Sequence, residues 1–132
     1  MTETLLFQLV SPERLLVEEQ VTEAQIPARE GYIGVLPGHA PLLSELMAGG
    51  VLSYQANGQK KVFAIYGGFV EVLPDRVRVL ADAAEHKEEI NLAAAQAALQ
   101  AATKEMYALQ GGDAALDEAM RAQAKVDAAT AA

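Results

Sequence analysis

The run from Gly31 to Leu43, GYIGVLPGHAPLL, constrains this chain more than any other stretch. It packs three glycines and two prolines into thirteen residues, threaded with Ile33, Val35, Leu36, Leu42 and Leu43. Glycine reaches backbone conformations that a Cβ forbids, and proline fixes φ and removes a hydrogen-bond donor. The composition predicts a rigid, half-apolar loop, echoed by GGFVEVL at Gly67 to Leu73. A loop of that kind suits docking to another protein better than catalysis. No nucleophile–base pair, metal cluster or phosphate-cradling glycine loop accompanies it in the sequence.

With 132 residues the chain is one domain, or a small domain with an appendage. A globule of that size buries about two thirds of its unfolded surface. Aromatics make up only 5% and Trp is absent, so the core is expected to be Val, Leu, Ile and Ala. The formal net charge is −8. Residues 1–85 carry 11 acids against 6 bases, and residues 86–132 carry 7 against 4. Neither part has the basic stripe that a phosphate backbone or an anionic lipid surface requires. The absence of cysteine excludes disulfides, a thiol nucleophile and a Cys-ligated metal. MTETLLFQLV lacks a basic n-region and is too short an apolar run for a signal peptide or membrane span, which predicts a soluble cytosolic protein.

The first 80 or so residues read as strands over Thr4–Val10, Arg14–Glu18, Val21–Ile26, Val51–Gln55, Lys61–Tyr66, Phe69–Leu73 and Arg76–Leu80. Asn57-Gly58 is a hairpin signal, because both residues tolerate positive φ. In Arg76-Val77-Arg78-Val79-Leu80 the charged residues point outward and the apolar ones inward. Short strands with a turn every 8–12 residues or so predict a β-sandwich or barrel. Near Asp82 the composition switches: 17 of the 47 residues from His86 onward are alanine. Leu92, Ala95, Leu99, Ala102, Met106 and Leu109 form one apolar helix face, and Gln110-Gly111-Gly112 breaks it. Asp113 is the expected N-cap of a second helix to about Ala129, with Ala115, Ala119, Ala122, Val126 and Ala129 on its small-residue face. The short turn makes the two helices antiparallel neighbours. Alanine favours helix but buries little area, so the hairpin is expected to grip weakly, as a capping or self-association tail or as a movable arm.

His39, bracketed by Pro37-Gly38 and Ala40-Pro41, has no local carboxylate or nucleophile to act on and is read as a loop-stabilising or interface residue. His86 lies 47 residues further on, without zinc-ligand spacing, so no metal site is expected. Glu18-Glu19, Glu88-Glu89 and Asp117-Glu118 read as solvated faces. Gly49-Gly50 and Gly67-Gly68 lack the Lys-Ser/Thr of a phosphate loop and read as bulges or corners.

GYIGVLPGHAPLL, YGGFVEVLPDRVRVLAD, the opening LVSPERLL and the Ala-rich hairpin together resemble the epsilon subunit of F-type ATP synthase. The likeness is most specific over residues 31–82 and rests on composition in the tail. It implies an α+β protein: an N-terminal ten-stranded antiparallel β-sandwich (residues 1–84) followed by a C-terminal α-helical hairpin (residues 85–132). It implies a non-catalytic rotor-stalk subunit of a proton-translocating enzyme, without cofactor, peripheral at the cytoplasmic face of the bacterial inner membrane or of an equivalent energy-transducing membrane. Its implied partners are the gamma subunit and the membrane rotor ring, met through Glu30, Tyr32, Ile33, Pro37, His39 and Pro41. The alpha/beta catalytic head is a further partner, reached by the helices. Family members often carry an acid where this chain has Tyr32, with Glu30 the neighbouring substitute.

The resemblance also implies an arm that permits turnover when docked and blocks ATP hydrolysis when extended through basic residues. The second helix offers only Arg121 and Lys125, against Asp113, Asp117, Glu118 and Asp127. Some bacterial members bind ATP through Ile-Asp-x-x-Arg-Ala. Here Ile90 and Ala95 match, while Asn91 and Ala94 replace the acid and the arginine. Loss of that guanidinium removes a contact of roughly 1.5–3 kcal/mol, about tenfold in affinity. Weak ATP candidates are therefore Glu85, Ile90, Asn91, Ala95, Arg121 and Lys125. The residues alone leave open a second reading, a stand-alone ligand-binding sandwich with a self-associating tail.

Overall fold

A computed structural model of the chain describes residues 3–108 and 112–131. Its ten strands are β1 (Leu5–Val10), β2 (Leu15–Val21), β3 (Glu23–Ala28), β4 (Gly31–Val35), β5 (Leu42–Glu45), β6 (Gly50–Ala56), β7 (Gln59–Ile65), β8 (Gly68–Leu73), β9 (Arg76–Ala81) and β10 (Ala84–His86). Two helices follow, α1 (Leu92–Ala108) and α2 (Gly112–Thr130). One sheet has the order β2-β1-β9-β8-β5 and the other β10-β7-β6-β3-β4.

Alternation builds the sandwich. Every second residue of β1, β6 and β9 is buried, so the two inner faces meet through Leu5, Phe7, Leu9, Leu52, Val77 and Val79. Valine, leucine and isoleucine dominate this core, as the composition led one to expect. Three aromatics form a row within this core, where Phe7 stacks on Tyr54 with centroids 4.6 Å apart and Tyr54 faces Phe63 at 6.4 Å. Asn57 and Gly58, at φ 53° and 75°, turn β6 into β7 as the Asn-Gly pair predicts.

Ten strands, two sheets and two helices agree with the expected fold, but the pairing is not wholly antiparallel. β1 runs parallel to β9, Leu6 against Arg76 through Val10 against Leu80. No hairpin joins these two strands, so chain connectivity does not impose the antiparallel sense. The thirteen-residue loop is also corrected. Gly31–Val35 and Leu42–Glu45 are strands, leaving only residues 36–41 as loop. Gly31 is compatible with β4 because it closes the tight Arg29-Glu30 turn, where the hairpin register is Ala28 against Gly31.

Nor does the third strand stop at Pro27. It pairs with β6 only over Glu23–Gln25, since Pro27 has no N–H to continue the ladder. β4 pairs along its other edge, however, and carries the strand on to Ala28. There it crosses to the opposite sheet: the Pro27 carbonyl accepts from the Met47 N–H at 2.9 Å, and the Arg29 N–H donates to the Glu45 carbonyl at 2.9 Å. Gly49-Gly50 and Gly67-Gly68 fall at strand junctions, before and at the start of β6 and of β8.

The tail begins with β10, which pairs with β7, and a single 3₁₀ turn, Lys87–Glu89. Asn91 then caps α1, its Oδ1 accepting from the Ala94 N–H at 3.0 Å. The break at Gln110-Gly111 and the side of the apolar face at Leu109 lie outside the described residues. Asp113 sits in the first turn of α2 rather than before it, because the helix already starts at Gly112. On α1, Ala95 and Ala102 are buried, while Leu92 is exposed.

The second helix lies between α1 and the sandwich. One side meets α1 through Ala119 and Ala122 against Ala102, Leu99 and Met106. The other lies along β6 and β7, with Ala128 over Val62 and Ala64. This explains why Val62, Phe63, Ala64 and Ile65 are buried in succession. β7 is covered by the core on one face and by α2 on the other.

Candidate functional site

The residues expected at a docking surface separate into two neighbouring places. Glu30, Tyr32 and Ile33 line an open groove of about 670 Å³ between β4 and β5, together with Leu42 and Leu43. The Arg29 Nη1–Glu45 Oε2 ion pair, at 2.5 Å, spans this groove. Tyr32 is not a free hydroxyl: its Oη accepts from the Val51 N–H at 2.9 Å, close to where the β3–β6 ladder ends. Ile33 is half-buried and packs on the core.

Pro37, His39 and Pro41 stand apart on the loop at 36–41. The Gly38 N–H donates to the Pro74 carbonyl at 2.8 Å and the His39 N–H to the Leu36 carbonyl at 3.1 Å. The His39 ring lies 2.6 Å from the Ala40 carbonyl through Nδ1. A carbonyl only accepts, so Nδ1 carries the hydrogen. His39 thus bonds within its own loop.

One exposed surface joins Leu43 and Phe69, from the two stretches read as docking segments, to Leu80, which that reading turned inward. The outer face of the β5-β8-β9 sheet carries Leu43, Phe69 and Leu80, exposed by 73%, 51% and 45%. Their registers, Leu43 against Glu71 and Phe69 against Leu80, make them neighbours. The signal was present in the alternation itself, because Leu80 is in phase with the outward-facing Arg76 and Arg78. Leu43 lies diagonally beside Phe69, with Glu71 and Glu45 opposite the two, and exposed large apolar groups gathered on an outer sheet face are a feature of interaction surfaces.

The second candidate is a cavity of about 490 Å³ under the hairpin, lined by Tyr66, Asp82, Ala98, Ala102, Arg121 and Lys125 among others. Lys125 Nζ lies 3.2 Å from Glu85 Oε1 and 5.8 Å from the centre of the Tyr66 ring. Tyr66 Oη donates to the same Glu85 oxygen at 2.6 Å. Three of the nucleotide candidates, Glu85, Arg121 and Lys125, therefore converge at or beside one cavity. The other three do structural work. Ile90 packs against the Val62–Ala64–Ala128 cluster, Asn91 caps α1 and Ala95 is buried. Asp82, Glu118 and Tyr66 were not foreseen at the cavity. Asp82, Glu118 and the adjoining Glu85 balance the two cations, so the cavity lacks the strongly positive field of a phosphate cradle.

Exposed groove, apolar sheet face and docked hairpin define a class of protein built on binding faces. Residues 4–87 match the family model described as ATP synthase, Delta/Epsilon chain, beta-sandwich domain. The chain is 50% identical over 129 residues to an ATP synthase epsilon chain of Solibacter usitatus, covering 96% of each. It is 46% identical over 106 residues to that of Koribacter versatilis, covering 80% of this chain and 74% of the relative. Among solved structures it is similar to a chain of the Euglena gracilis mitochondrial ATP synthase (OSCP/F1/c-ring) at TM-score 0.72 and 28% identity, over 93% and 74% of the two chains. A chain of the Tetrahymena thermophila mitochondrial ATP synthase central stalk/c-ring shares the fold at TM-score 0.65 and 15% identity, over 98% of both.

The chain belongs to the ATP synthase epsilon-chain family. It is a non-catalytic stalk subunit, a peripheral part of a membrane complex, and this decides between the two readings that the residues left open. Among the described residues no helix is long and apolar enough to cross a membrane.

Two phenols make the docked fold sensitive to alkali. Burial first, then hydrogen bonds to Glu19 and Glu85, raise the Tyr54 and Tyr66 hydroxyls above the ordinary 10.0. Above pH 10 the unfolded chain releases these protons while the folded chain retains them, so stability falls as pH rises. Urea unfolding midpoints should drop once pH passes 10, and Tyr54→Phe with Tyr66→Phe should flatten that decline. An equally steep decline in the double variant would place the effect elsewhere.

Proposed function

We propose that this chain links the gamma subunit to the rotor ring of a proton-translocating ATP synthase, at the cytoplasmic face of the bacterial inner membrane. The apolar patch of Leu43, Phe69 and Leu80, continuous with the groove at Glu30, Tyr32 and Ile33, carries this reading. Pro37, His39 and Pro41 add a loop that is already ordered by its own hydrogen bonds, so association costs little conformational entropy.

The chain divides in this reading into a sandwich unit, residues 1–84, and a helical unit, residues 85–132, with β10 leaning on the first through its pairing to β7. The helical unit is an arm that regulates ATP hydrolysis and reaches the alpha/beta head when extended. Its braking is weak, because Arg121 and Lys125 are the only cations of α2. The docked arm holds ATP weakly, through Arg121 and Lys125 in the cavity.

A chain cut after residue 87 should still melt cooperatively, at a lower temperature than the full chain, because the sandwich core contains no residue from the helices. Far-UV circular dichroism during heating checks this, and a melt without a transition would show that the hairpin completes the core.

Substitution at the patch should weaken assembly. Leu43→Asp is a clean probe, since Ile33→Asp also disturbs the core. Pull-down of gamma should fall about tenfold or more for Leu43→Asp, and less for Pro37→Gly with Pro41→Gly. Unchanged capture by both variants would remove this surface from the interface.

ATP should bind the isolated chain only in the high micromolar range or weaker, by the missing-guanidinium argument. Ala94 precedes the cavity-lining Ala98 by one turn, so Ala94→Arg with Asn91→Asp should tighten binding about tenfold, and Asp retains the cap of α1. Arg121→Ala should abolish what remains. Isothermal titration reads all three, and micromolar binding insensitive to Arg121→Ala would displace the site from this cavity.

A further inference from the structure

The geometry points to Gly49 as the seat that fixes where α2 docks, and with it where Arg121 and Lys125 stand over the cavity. This deepens, and rests on, the reading of the hairpin as a regulatory arm. A Cβ placed on Gly49 would lie 2.4 Å from the Met120 carbonyl oxygen, 2.5 Å from the Met120 carbonyl carbon and 2.6 Å from Arg121 Cα. All three atoms belong to α2, and all three are backbone. Gly49 is not among the glycines at positive φ, so an alanine could adopt its conformation without strain. What excludes a side chain here is the helix seated on it.

Gly50 makes the contrast. A Cβ there would meet the Pro27 side chain at 2.4 Å, so Gly50 serves the sandwich while its neighbour serves the arm. Rotating a side chain cannot relieve an overlap with a helix backbone. Ordinary contact begins near 3.4 Å, so α2 must retreat by about 1 Å to admit even a methyl group. A gap of that size forfeits a quarter to a half of the attraction at each contact it opens. Ala124 and Ala128 are buried, Ala128 against Val62 and Ala64, and neither has the length to follow the retreat. Arg121 moves with the helix, and Lys125, one turn on, is drawn from Glu85.

Hydrogen exchange on the full chain tests this. In Gly49→Ala the amides of residues 117–129 should exchange about tenfold faster or more, while those of β1, β8 and β9 keep their protection. Adding Met120→Ala should leave the acceleration in place, because the obstacle is the carbonyl and not the thioether. Unchanged α2 protection in Gly49→Ala overturns the assignment, as does restoration by Met120→Ala. Loss of protection in β8 and β9 also overturns it, by showing that the sandwich itself needs this glycine. ATP hydrolysis by the assembled enzyme separates the two layers of the argument. If α2 is released in the isolated chain and hydrolysis by the complex is unaltered, Gly49 keeps its role and the braking arm fails.

Discussion

The outer face of β6 and β7 needs a cover, and the arrangement of the tail follows from that need. Val62 and Ala64 point away from the core while Phe63 and Ile65 point into it. A strand apolar on both faces must be buried on both. The second helix supplies the cover with Ala128, and the first helix then packs on the second. Because the cover is alanine, each buried side chain contributes about one methyl group, where a leucine would contribute roughly 1.5–3 kcal/mol. The fit is close and the hold is shallow, which favours a lid that can be lifted over one that is sealed.

Electrostatics do little to tighten it. The Lys125–Glu85 pair has side chains 37% and 34% exposed, and a pair that open contributes at most about 1 kcal/mol. Glu85 also accepts from Tyr66, so undocking exchanges one carboxylate partner for water and keeps the other. Lys87 donates to the Ala131 carbonyl just past the end of α2, in a partly buried position that is a favourable place for a cation. Apolar area is therefore the main contribution that holds α2 on the sandwich, and a small steric change at the seat weighs heavily against so small a total.

Much of this was legible in the residues. Clean alternation located β9, the Asn-Gly pair located the β6–β7 hairpin, and the alanine switch located the helices. Glycine and proline misled at residues 31–43, where propensity was outweighed by pairing partners far away in sequence. Gly31 and Gly34 sit in β4 because β3 lies beside them, and Leu42–Glu45 is a strand because β8 is. The parallel β1–β9 pair was illegible for the same reason, since register between segments 70 residues apart is a tertiary fact. At the cavity, Arg121 and Lys125 were found as the basic residues of the second helix, under the nucleotide site that the resemblance implied. Asp82 and Glu118 were missed, because what makes them neighbours is the docking of one helix on a sheet. Gly49 was seen as a corner, and only the helix above it shows why the corner has no side chain.

The two sheets divide the labour. The exposed leucines and Phe69 lie on the outer face of one sheet, and the hairpin lies on the outer face of the other. The closed core of valine and leucine stands between them, packed too densely to bend in proportion to a small push. A partner seated on Leu43, Phe69 and Leu80 touches no residue that holds α2, and a released arm uncovers Val62 and Ala64 without altering that patch. The patch and the seat of α2 can then be changed separately by substitution. A partner large enough to meet both faces would join them, because Leu43, Phe69 and Leu80 belong to neither cluster that packs the core and the seat of α2.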